Sequence, residues 1–178
     1  MAFISISITK NHPLILGKGG FGRQLADWLS AEGWGEAEFL DDSAPGCVGG
    51  LRDYADPKLL KPGRPAFVAL GDNALRVELL QKLAAAGYDT PVFISDMAAV
   101  SPSAVLEPGC VILPQAYVGA DAHLGVGCIV NAGAIVDHDE VLGRGVHVAP
   151  GGIVKAGAEV GALTKADSGA IIKKCCDL

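Results

Sequence analysis

Residues 100–177 divide into consecutive blocks of six: VSPSAV, LEPGCV, ILPQAY, VGADAH, LGVGCI, VNAGAI, VDHDEV, LGRGVH, VAPGGI, VKAGAE, VGALTK, ADSGAI and IKKCCD. Each block opens on Val, Leu or Ile, except the block that opens on Ala166, and the fifth place usually holds a small residue. A helix repeats about every 3.6 residues and a strand every 2. A period of six held over this length therefore indicates a repeat architecture.

The hexad predicts a solenoid of short strands, with the aliphatic first residue pointing into a narrow interior and the small fifth residue near a turn. The pattern resembles the hexapeptide repeat of left-handed β-helix acyltransferases, and that resemblance implies three blocks per triangular coil. Every third block then stacks into one of three apolar columns: Val100, Val118, Val136, Val154 and Ile172; Leu106, Leu124, Leu142, Val160 and Leu178; Ile112, Val130, Val148 and Ala166. We therefore expect an all-β left-handed parallel β-helix over residues 96–178.

Residues 1–95 show a different pattern, in which short apolar runs alternate with residues at helical spacing. The predicted strands and helices are Pro13–Leu16, a helix that ends at Gly33, Ala37–Leu40, Ala66–Leu70, the helix Ala74–Ala86, and Pro91–Ile94 as a fourth strand. Alternation of this kind favours a Rossmann-like, doubly wound α/β domain over residues 1–95. Phe3–Ile8, where apolar residues alternate with Ser, fits either an edge strand or an irregular terminus.

The composition argues against several classes of partner and location. A net charge of −6 argues against nucleic acid as the main partner. No apolar run reaches the ~20 residues that a membrane-spanning helix needs, and the first residues lack the basic start of a signal peptide. The five cysteines have no zinc-binding spacing, and Cys110 and Cys128 are expected to stack as buried thiols in a reducing compartment. We expect a cytoplasmic protein.

A glycine-rich turn follows the first predicted strand, with the sequence GKGGFGR at residues 17–23. Backbone N–H groups at the start of a helix can hold a phosphate, although a tight turn also needs glycine for its own sake. Asp41 and Asp42 follow the second strand and Gly71 follows the third, at the edge where parallel sheets bind ligands. The two carboxylates suit ribose hydroxyls or the imide of a base, and their alternative role is a solvated turn.

The block VDHDEV differs from the rest of the repeat. His138 lies between Asp137 and Asp139, and a carboxylate beside an imidazole favours its protonated form, so this His is a candidate general base. A metal site from His138, Asp139 and His147 is disfavoured, because the hexad scatters these side chains over different faces. Glu140 occupies the small, inward place. It either tilts outward to reach His138, Arg144 or a neighbouring subunit, or is buried with a raised pKa, and we favour the outward tilt.

Several motifs occur together in chain order. They are GKGGFGR at 17–23, FLDD at 39–42, GDNALR at 71–76, VSPSAV at 100–105, IVNAGAIVDHD at 129–139 and HVAPG at 147–151. Together they resemble the sialic-acid and bacillosamine-type sugar acetyltransferases, and the resemblance covers nearly the whole chain. It implies transfer of an acetyl group from acetyl-CoA to the amine of a nucleotide-linked amino sugar by a homotrimer, with active sites between subunits and no metal.

The resemblance also implies roles for individual residues. His138 matches the catalytic base and Asp139 the acid that raises its basicity, while Asn131 and Asp137 match residues of the acceptor pocket. His147 matches a residue near the thioester, and the N–H of Ala156 is expected to hold the oxyanion. The residues that match the nucleotide site are Gly19, Gly20, Phe21, Asp41, Asp42 and Gly71.

The sequence departs from the family in three respects: Glu140 replaces a small residue, Phe21 stands where many relatives have His, and relatives commonly continue for further CoA-binding coils. Lys155, Lys165, Lys173 and Lys174 could meet CoA phosphates or serve only solubility. Two other interpretations stay open. One is O-acetylation of a free sugar such as sialic acid, and the other is a non-catalytic β-helix scaffold without the full CoA site.

Overall fold

The computed structural model describes residues 12–59 and 61–173, which form a short α/β region followed by a parallel β-helix. Phe3–Ile8, Lys174, Cys175, Cys176 and Leu178, all considered above, lie outside the described residues. The elements of the α/β region are β1 (Leu14–Leu16), α1 (Gly20–Ala31), β2 (Glu38–Leu40), β3 (Ala66–Val68) and α2 (Asn73–Ala85).

The three strands of the α/β region form one parallel sheet in the order β2-β1-β3. Ile15 of β1 lies in register with Phe39 of β2 and Phe67 of β3. The central strand is apolar and buried throughout because helices cover both faces of the sheet. Helix α1 contributes Leu25 and Leu29 to one apolar cluster, and α2 packs in a second cluster on the other face.

The β-helix consists of two-residue strands that stack into three flat faces. Face 1 contains β4 (Phe93–Ile94), β7 (Val111–Ile112), β10 (Ile129–Val130), β13 (His147–Val148) and β16 (Lys165–Ala166). Face 2 contains β5 (Ala99–Val100), β8 (Tyr117–Val118), β11 (Ile135–Val136), β14 (Ile153–Val154) and β17 (Ile171–Ile172). Face 3 contains β6 (Val105–Leu106), β9 (His123–Leu124), β12 (Val141–Leu142) and β15 (Glu159–Val160).

The register of these ladders confirms the apolar columns that the repeat predicted. Val136 pairs with Val118 on one side and with Val154 on the other, a step of one coil in each direction. In the inner coils the second residue of each strand points inward, and the fully buried members of this single core include Val118, Leu124, Val130, Val136, Val148 and Val154. Cys110 and Cys128 belong to the same core as free thiols.

The strand at Phe93–Ile94 corrects one prediction. It was expected to be the fourth strand of the α/β sheet, but it pairs with β7 and forms the first rung of face 1. The hexad explains the error, because the same phase carried one block back from Val100 gives Ile94 in the first place and Ala98 in the fifth. A short apolar run fits a covered parallel strand and a β-helix rung equally well. The division into independent domains at residues 95 and 96 stays a prediction.

The two regions share one apolar cluster and one buried arginine. Ile15 and Phe67 of the α/β sheet pack together with Val111 and Ile129 from face 1 of the β-helix. Arg76 of α2 is only 1% exposed. Its guanidinium donates hydrogen bonds to three backbone carbonyls, those of Leu70 at 2.9 Å, Gly127 at 2.9 Å and Gly145 at 2.7 Å.

The glycines at one column of corners make this docking possible. A Cβ atom on Gly109 would lie 2.7 Å from Cδ2 of Leu80, and one on Gly127 would lie 2.6 Å from Cδ1 of the same residue. Both glycines also have positive φ, where a side chain is strained. The α2 helix can therefore approach the β-helix closely enough for Arg76 to reach the corner carbonyls.

Candidate active site

The first group of polar residues lies at the corner between β11 and β12, where faces 2 and 3 meet. Nδ1 of His138 lies 2.7 Å from Oδ2 of Asp139, and the backbone N–H of His138 donates to Oδ1 of Asp137 at 2.9 Å. Because a carboxylate only accepts, the proton of the ring belongs on Nδ1. Asp139 has a φ of +59°, which turns the chain sharply at this point. The corner thus leaves Nε2 of His138 as a free lone pair among the described residues.

The environment of His138 suits a proton acceptor. Its side chain is 58% exposed, so a substrate can reach the ring. The hydrogen bond that His138 donates to Asp139, followed by the charge of Asp137, raises the pKa of His138 above its ordinary value. This group of residues can therefore take up a proton at the surface and stabilise the resulting imidazolium.

Ala156 lies one coil above His138 at the same corner. The stacking is fixed by Gly157, whose N–H donates to the carbonyl of His138 at 3.2 Å. Within the described part of the chain, the N–H of Ala156 has no protein acceptor, whereas the neighbouring N–H of Lys155 donates to Ile172. Since successive coils are ~4.8 Å apart, an unused backbone donor lies close to the candidate base.

A second group lies on the other side of face 2, at its edge with face 1. Nδ2 of Asn131 and Nε2 of His147 are 3.2 Å apart. Burial, followed by the positive charges of Arg76 and Lys165, lowers the pKa of His147 to about 4, so this ring is neutral near pH 7. The sequence predicted both as site residues, and the hexad already placed His147 on a different face from His138. In the structure, the width of face 2 separates the two groups within one chain.

The glycine loop lies at the carboxyl end of β1 and starts α1. Gly19 is the N-cap of α1, and no side chain of the described residues caps this helix or places a negative charge in its first turn. A Cβ atom on Gly19, Gly20 or Gly71 would meet no described protein atom within 4 Å, so packing does not explain glycine at these positions. Unused N–H groups at an open helix N-terminus form a site for an anion.

Phe21 connects this loop to the second group of residues. Its ring packs in the same apolar cluster as Ala132, the residue after Asn131. The glycine loop and the edge at Asn131 therefore lie on the same side of the molecule.

The carboxylates of Asp41 and Asp42 are largely used by the protein itself. Oδ2 of Asp41 accepts from the N–H of Lys18 at 2.7 Å, and Oδ1 accepts from the N–H groups of Ser43 and Ala44, both at 2.9 Å. These hydrogen bonds hold the pKa of Asp41 well below its usual range. Among the described residues, Asp42 accepts only from the N–H of Leu51 and keeps one oxygen for other partners. A direct contact of either carboxylate with a nucleotide stays a prediction.

Glu140 differs from the sequence expectation. It was expected to tilt outward toward His138 or Arg144, but its side chain is fully buried inside the β-helix. Neither carboxylate oxygen has a hydrogen-bond partner among the residues that the structure describes. The inward direction follows from the place of the residue in the hexad, whose fifth position faces the interior.

The structure adds one residue that the sequence analysis missed and two further observations. The sequence analysis named Arg76 only as part of a motif, yet the charge of Arg76 lowers the pKa of His147 and its hydrogen bonds join the two regions.

Within residues 12–59 and 61–173, no cluster of three or more His, Cys, Asp and Glu side chains could hold a metal ion. No helix in that part is long and apolar enough to cross a membrane.

Comparison with known proteins identifies the family. Residues 14–83 match the family model of the PglD N-terminal domain. The acetyltransferase domain of PglB from Neisseria gonorrhoeae FA1090 is 34% identical with a TM-score of 0.84, over 91% of this chain and 82% of that one. The chain belongs to the bacillosamine-type sugar acetyltransferases. The family, the fold class and the acyltransferase class predicted from the sequence are thereby confirmed.

Two further structures carry ligands. The same PglB domain in complex with acetyl coenzyme A is 31% identical with a TM-score of 0.75, over 93% of this chain and 85% of that one. A mutant of perosamine N-acetyltransferase from Caulobacter crescentus, in complex with CoA and GDP-perosamine, is 28% identical with a TM-score of 0.79. That match covers 92% of this chain and 83% of the other.

Proposed function

We propose that this sugar acetyltransferase moves the acetyl group of acetyl-CoA to the amine of a nucleotide-linked amino sugar, with His138 as the general base. The observation that carries the proposal is the exposed His138–Asp139 pair, 2.7 Å apart, at a corner of a β-helix in this family. The PglB domain in complex with acetyl coenzyme A and the perosamine enzyme in complex with CoA and GDP-perosamine support the choice of both substrates.

In the proposed reaction, the lone pair of the sugar amine attacks the carbonyl carbon of the thioester. Nε2 of His138 takes the proton that the amine loses, and Asp139 stabilises the imidazolium. The N–H of Ala156 donates to the oxyanion of the tetrahedral intermediate. When the C–S bond breaks, the proton passes from His138 to the departing thiolate of CoA, so that the products are an amide and a free thiol.

The nucleotide is assigned to the glycine loop. The unused N–H groups at Gly19, Gly20 and Phe21 suit the diphosphate, and the open space at Gly71 admits the ligand backbone. Asp42, with one oxygen left for other partners, is the better candidate for a ribose or base contact than Asp41. The sugar then extends toward Asn131, which lies on the same side as Phe21.

We propose a homotrimer, and the placement of the two groups supports an active site shared between copies. Asn131 and His147 lie at one edge of face 2 and His138 at the other, so a second copy is needed to bring a base to a sugar bound near Asn131. The outward side chains of face 2 favour contact with a second copy of the chain, since Tyr117, Ile135 and Ile171 are all exposed and apolar. His147 and Asp137 would then line the shared cleft with acetyl-CoA.

We assign this activity to the cytoplasm. The cysteines in the described part of the chain, Cys47, Cys110 and Cys128, are all free thiols, which is typical of reducing compartments.

The test is release of free CoA thiol with a panel of acceptors: amino sugars linked to UDP, GDP and CMP, together with free sialic acid. Thiol release with one nucleotide amino sugar, lost in His138→Gln, is the expected result. A matched control is Asp121→Asn, which changes the equivalent corner position one coil below Asp139. Turnover of free sialic acid alone would favour O-acetylation, and no turnover together with no binding of acetyl-CoA would favour a scaffold.

A further inference from the structure

Glu140 is a carboxyl group inside the apolar solenoid. Its side chain has no exposed surface, and both Oε1 and Oε2 lack hydrogen-bond partners in the described part of the chain. Burying a polar group without a partner is unfavourable, and burying an isolated charge is far more so. Because burial of this unpaired carboxyl group is unfavourable and other blocks hold a small side chain at this position, we expect Glu140 to have a physical role.

The neighbouring coils explain how the side chain fits. The residues directly below and above Glu140 in its column are Ala122 and Ala158, both buried and small. The N–H of Ala158 lowers the pKa of Glu140, but its hydrogen bond is made to the carbonyl of Lys155 at 3.2 Å. The column therefore offers room for a carboxyl group but, among the described residues, no spare donor to pair with it.

The charged groups that act on Glu140 belong to a single corner. Asp137, His138 and Asp139 precede it directly, and the stacked coils add Asp121 below Asp139 and Lys155 above Asp137. Burial, and then the charge of Asp137, raises the pKa of Glu140 to about 7, while the charge of His138 acts in the opposite direction. Glu140 therefore changes charge in the same pH range as the adjacent imidazole.

We propose that Glu140 is a positioning residue for His138, a carboxyl group inside the β-helix whose negative charge stabilises the imidazolium and so sets the pH at which the base is free. The proposal rests on the proposed function, because it gives His138 the role of base. Asp137 and Asp139 lie on the solvated side of the corner, where water screens their charges. Glu140 acts from the protein interior, where screening is weaker, and its charge raises the pKa of His138 in addition to the larger effects of Asp139 and Asp137.

The coupling has a defined direction. An ionised Glu140 favours the protonated form of His138, and loss of the charge releases the proton more readily. Because the charge of each group shifts the pKa of the other, the midpoint of His138 in the wild type includes an effect of Glu140. Glu140→Gln keeps the shape of the side chain and removes its charge at every pH. The titration of His138 in this variant is therefore free of any effect of a charge at position 140.

The decisive measurement is a nuclear magnetic resonance titration of the histidine rings in the full chain, with the His138 signal assigned from its loss in His138→Gln. In Glu140→Gln we expect the midpoint of the His138 titration to move to lower pH. Glu107→Gln is the matched control, since Glu107 contacts His123 at 2.9 Å on face 3 and should leave the His138 titration in place. An unchanged His138 midpoint in Glu140→Gln overturns the proposal.

This measurement needs no substrate, so it stands even if the proposed function fails. A second readout tests the consequence for turnover: the acid limb of kcat/KM should shift to lower pH in Glu140→Gln, most clearly near pH 7, where the wild-type carboxyl is half ionised. An unshifted acid limb beside a shifted ring titration would remove His138 as the base while keeping the coupling. Should Glu140→Gln fail to fold, Glu140→Cys replaces it, because Cys110 and Cys128 occupy the fifth place in other blocks.

Discussion

Asn131 fixes the protonation of His147. Oδ1 of Asn131 accepts from the N–H of Ala132 at 2.8 Å, so its Nδ2 faces Nε2 of His147, 3.2 Å away. An amide nitrogen only donates, and Nε2 must therefore accept. The ring proton lies on Nδ1, which is buried and has no partner among the described residues. The neutral ring of His147 thus has one unpaired donor, its Nδ1–H, at the edge that it shares with Asn131.

Asn131→Asp should reverse this arrangement. A carboxylate in place of the amide favours a protonated ring, so the pKa of His147 should rise from about 4 toward neutrality. Nitrogen chemical shifts of labelled histidine measure both the tautomer and the titration. Asn131→Ala is the control, since it removes the donor without adding charge and should leave the pKa low. A ring that stays neutral at pH 5 in Asn131→Asp would contradict the assigned hydrogen-bond direction.

His138→Gln should reduce turnover at least about a hundredfold, because loss of a positioned base typically removes that factor or more. Its melting temperature should match the wild type, since the side chain is 58% exposed and fills no part of the core. His123→Gln, at a similarly exposed position on face 3, should keep full activity. Steady-state thiol release and thermal denaturation of the three proteins provide the comparison.

Arg76→Met should destabilise the protein by about 3 kcal/mol, because three carbonyls lose a charged donor in a buried site. The midpoint of urea unfolding measures this loss. Arg144→Met removes an exposed arginine from a nearby corner and should change stability little. Equal stability of the two variants would show that the Arg76 hydrogen bonds are replaced by water.

Glu140→Ala should change how stability depends on pH. The folded pKa of about 7 lies above the ordinary value of 4.5, so the folded state keeps a proton that the unfolded chain releases. The contribution of the carboxyl group is therefore present below pH 4.5 and is lost as the pH rises through 7. Relative to the wild type, the Ala variant should gain about 3 kcal/mol between pH 4 and pH 8.

Val146→Ala provides the control for that series. It truncates another buried residue in the fifth place of a block and carries no charge. Its stability difference from the wild type should stay constant with pH. A parallel course for both variants would mean that Glu140 does not titrate between pH 4 and pH 8.

Asp41→Asn should weaken nucleotide binding about tenfold, because the loop that follows β2 loses its charged anchor on the N–H of Lys18. The depressed pKa of Asp41 gives a stabilisation that is present above the unfolded value of 3.8 and lost as the pH falls further. The stability lost in the variant should therefore be largest at pH 7 and should shrink progressively as the pH falls below 3.8. Calorimetric titration with UDP and GDP, with Asp56→Asn as a control in a separate loop, measures the affinity.

The β-helix could be predicted from the sequence because a six-residue period fits neither an amphipathic helix nor a single half-buried strand. Each predicted column appears as a ladder, and the small fifth places form the buried lining. The one misplaced strand, Phe93–Ile94, lies where the hexad and the α/β pattern overlap, and pairing between distant strands decides such cases. Local pattern alone cannot distinguish two partners for the same apolar run.

The site was predictable as a set of residues but not as an arrangement. The motif at 129–139 places Asn131 and His138 only seven residues apart, yet one full face of the β-helix lies between them. The burial of Glu140 was missed because its polar neighbours made the surface appear reachable. Whether a corner side chain points in or out depends on the backbone direction at that place of the coil, which composition does not encode.

The first rung of the β-helix also bears on how substrates are chosen. Strand β4 joins directly to face 1, and Ile15, Phe67, Val111 and Ile129 form one continuous core. This shared core packs the two described regions against each other, so we expect a fixed span from the glycine loop to the edge at Asn131. A nucleotide sugar with one phosphate more or fewer should then bind more weakly than one whose length matches that span.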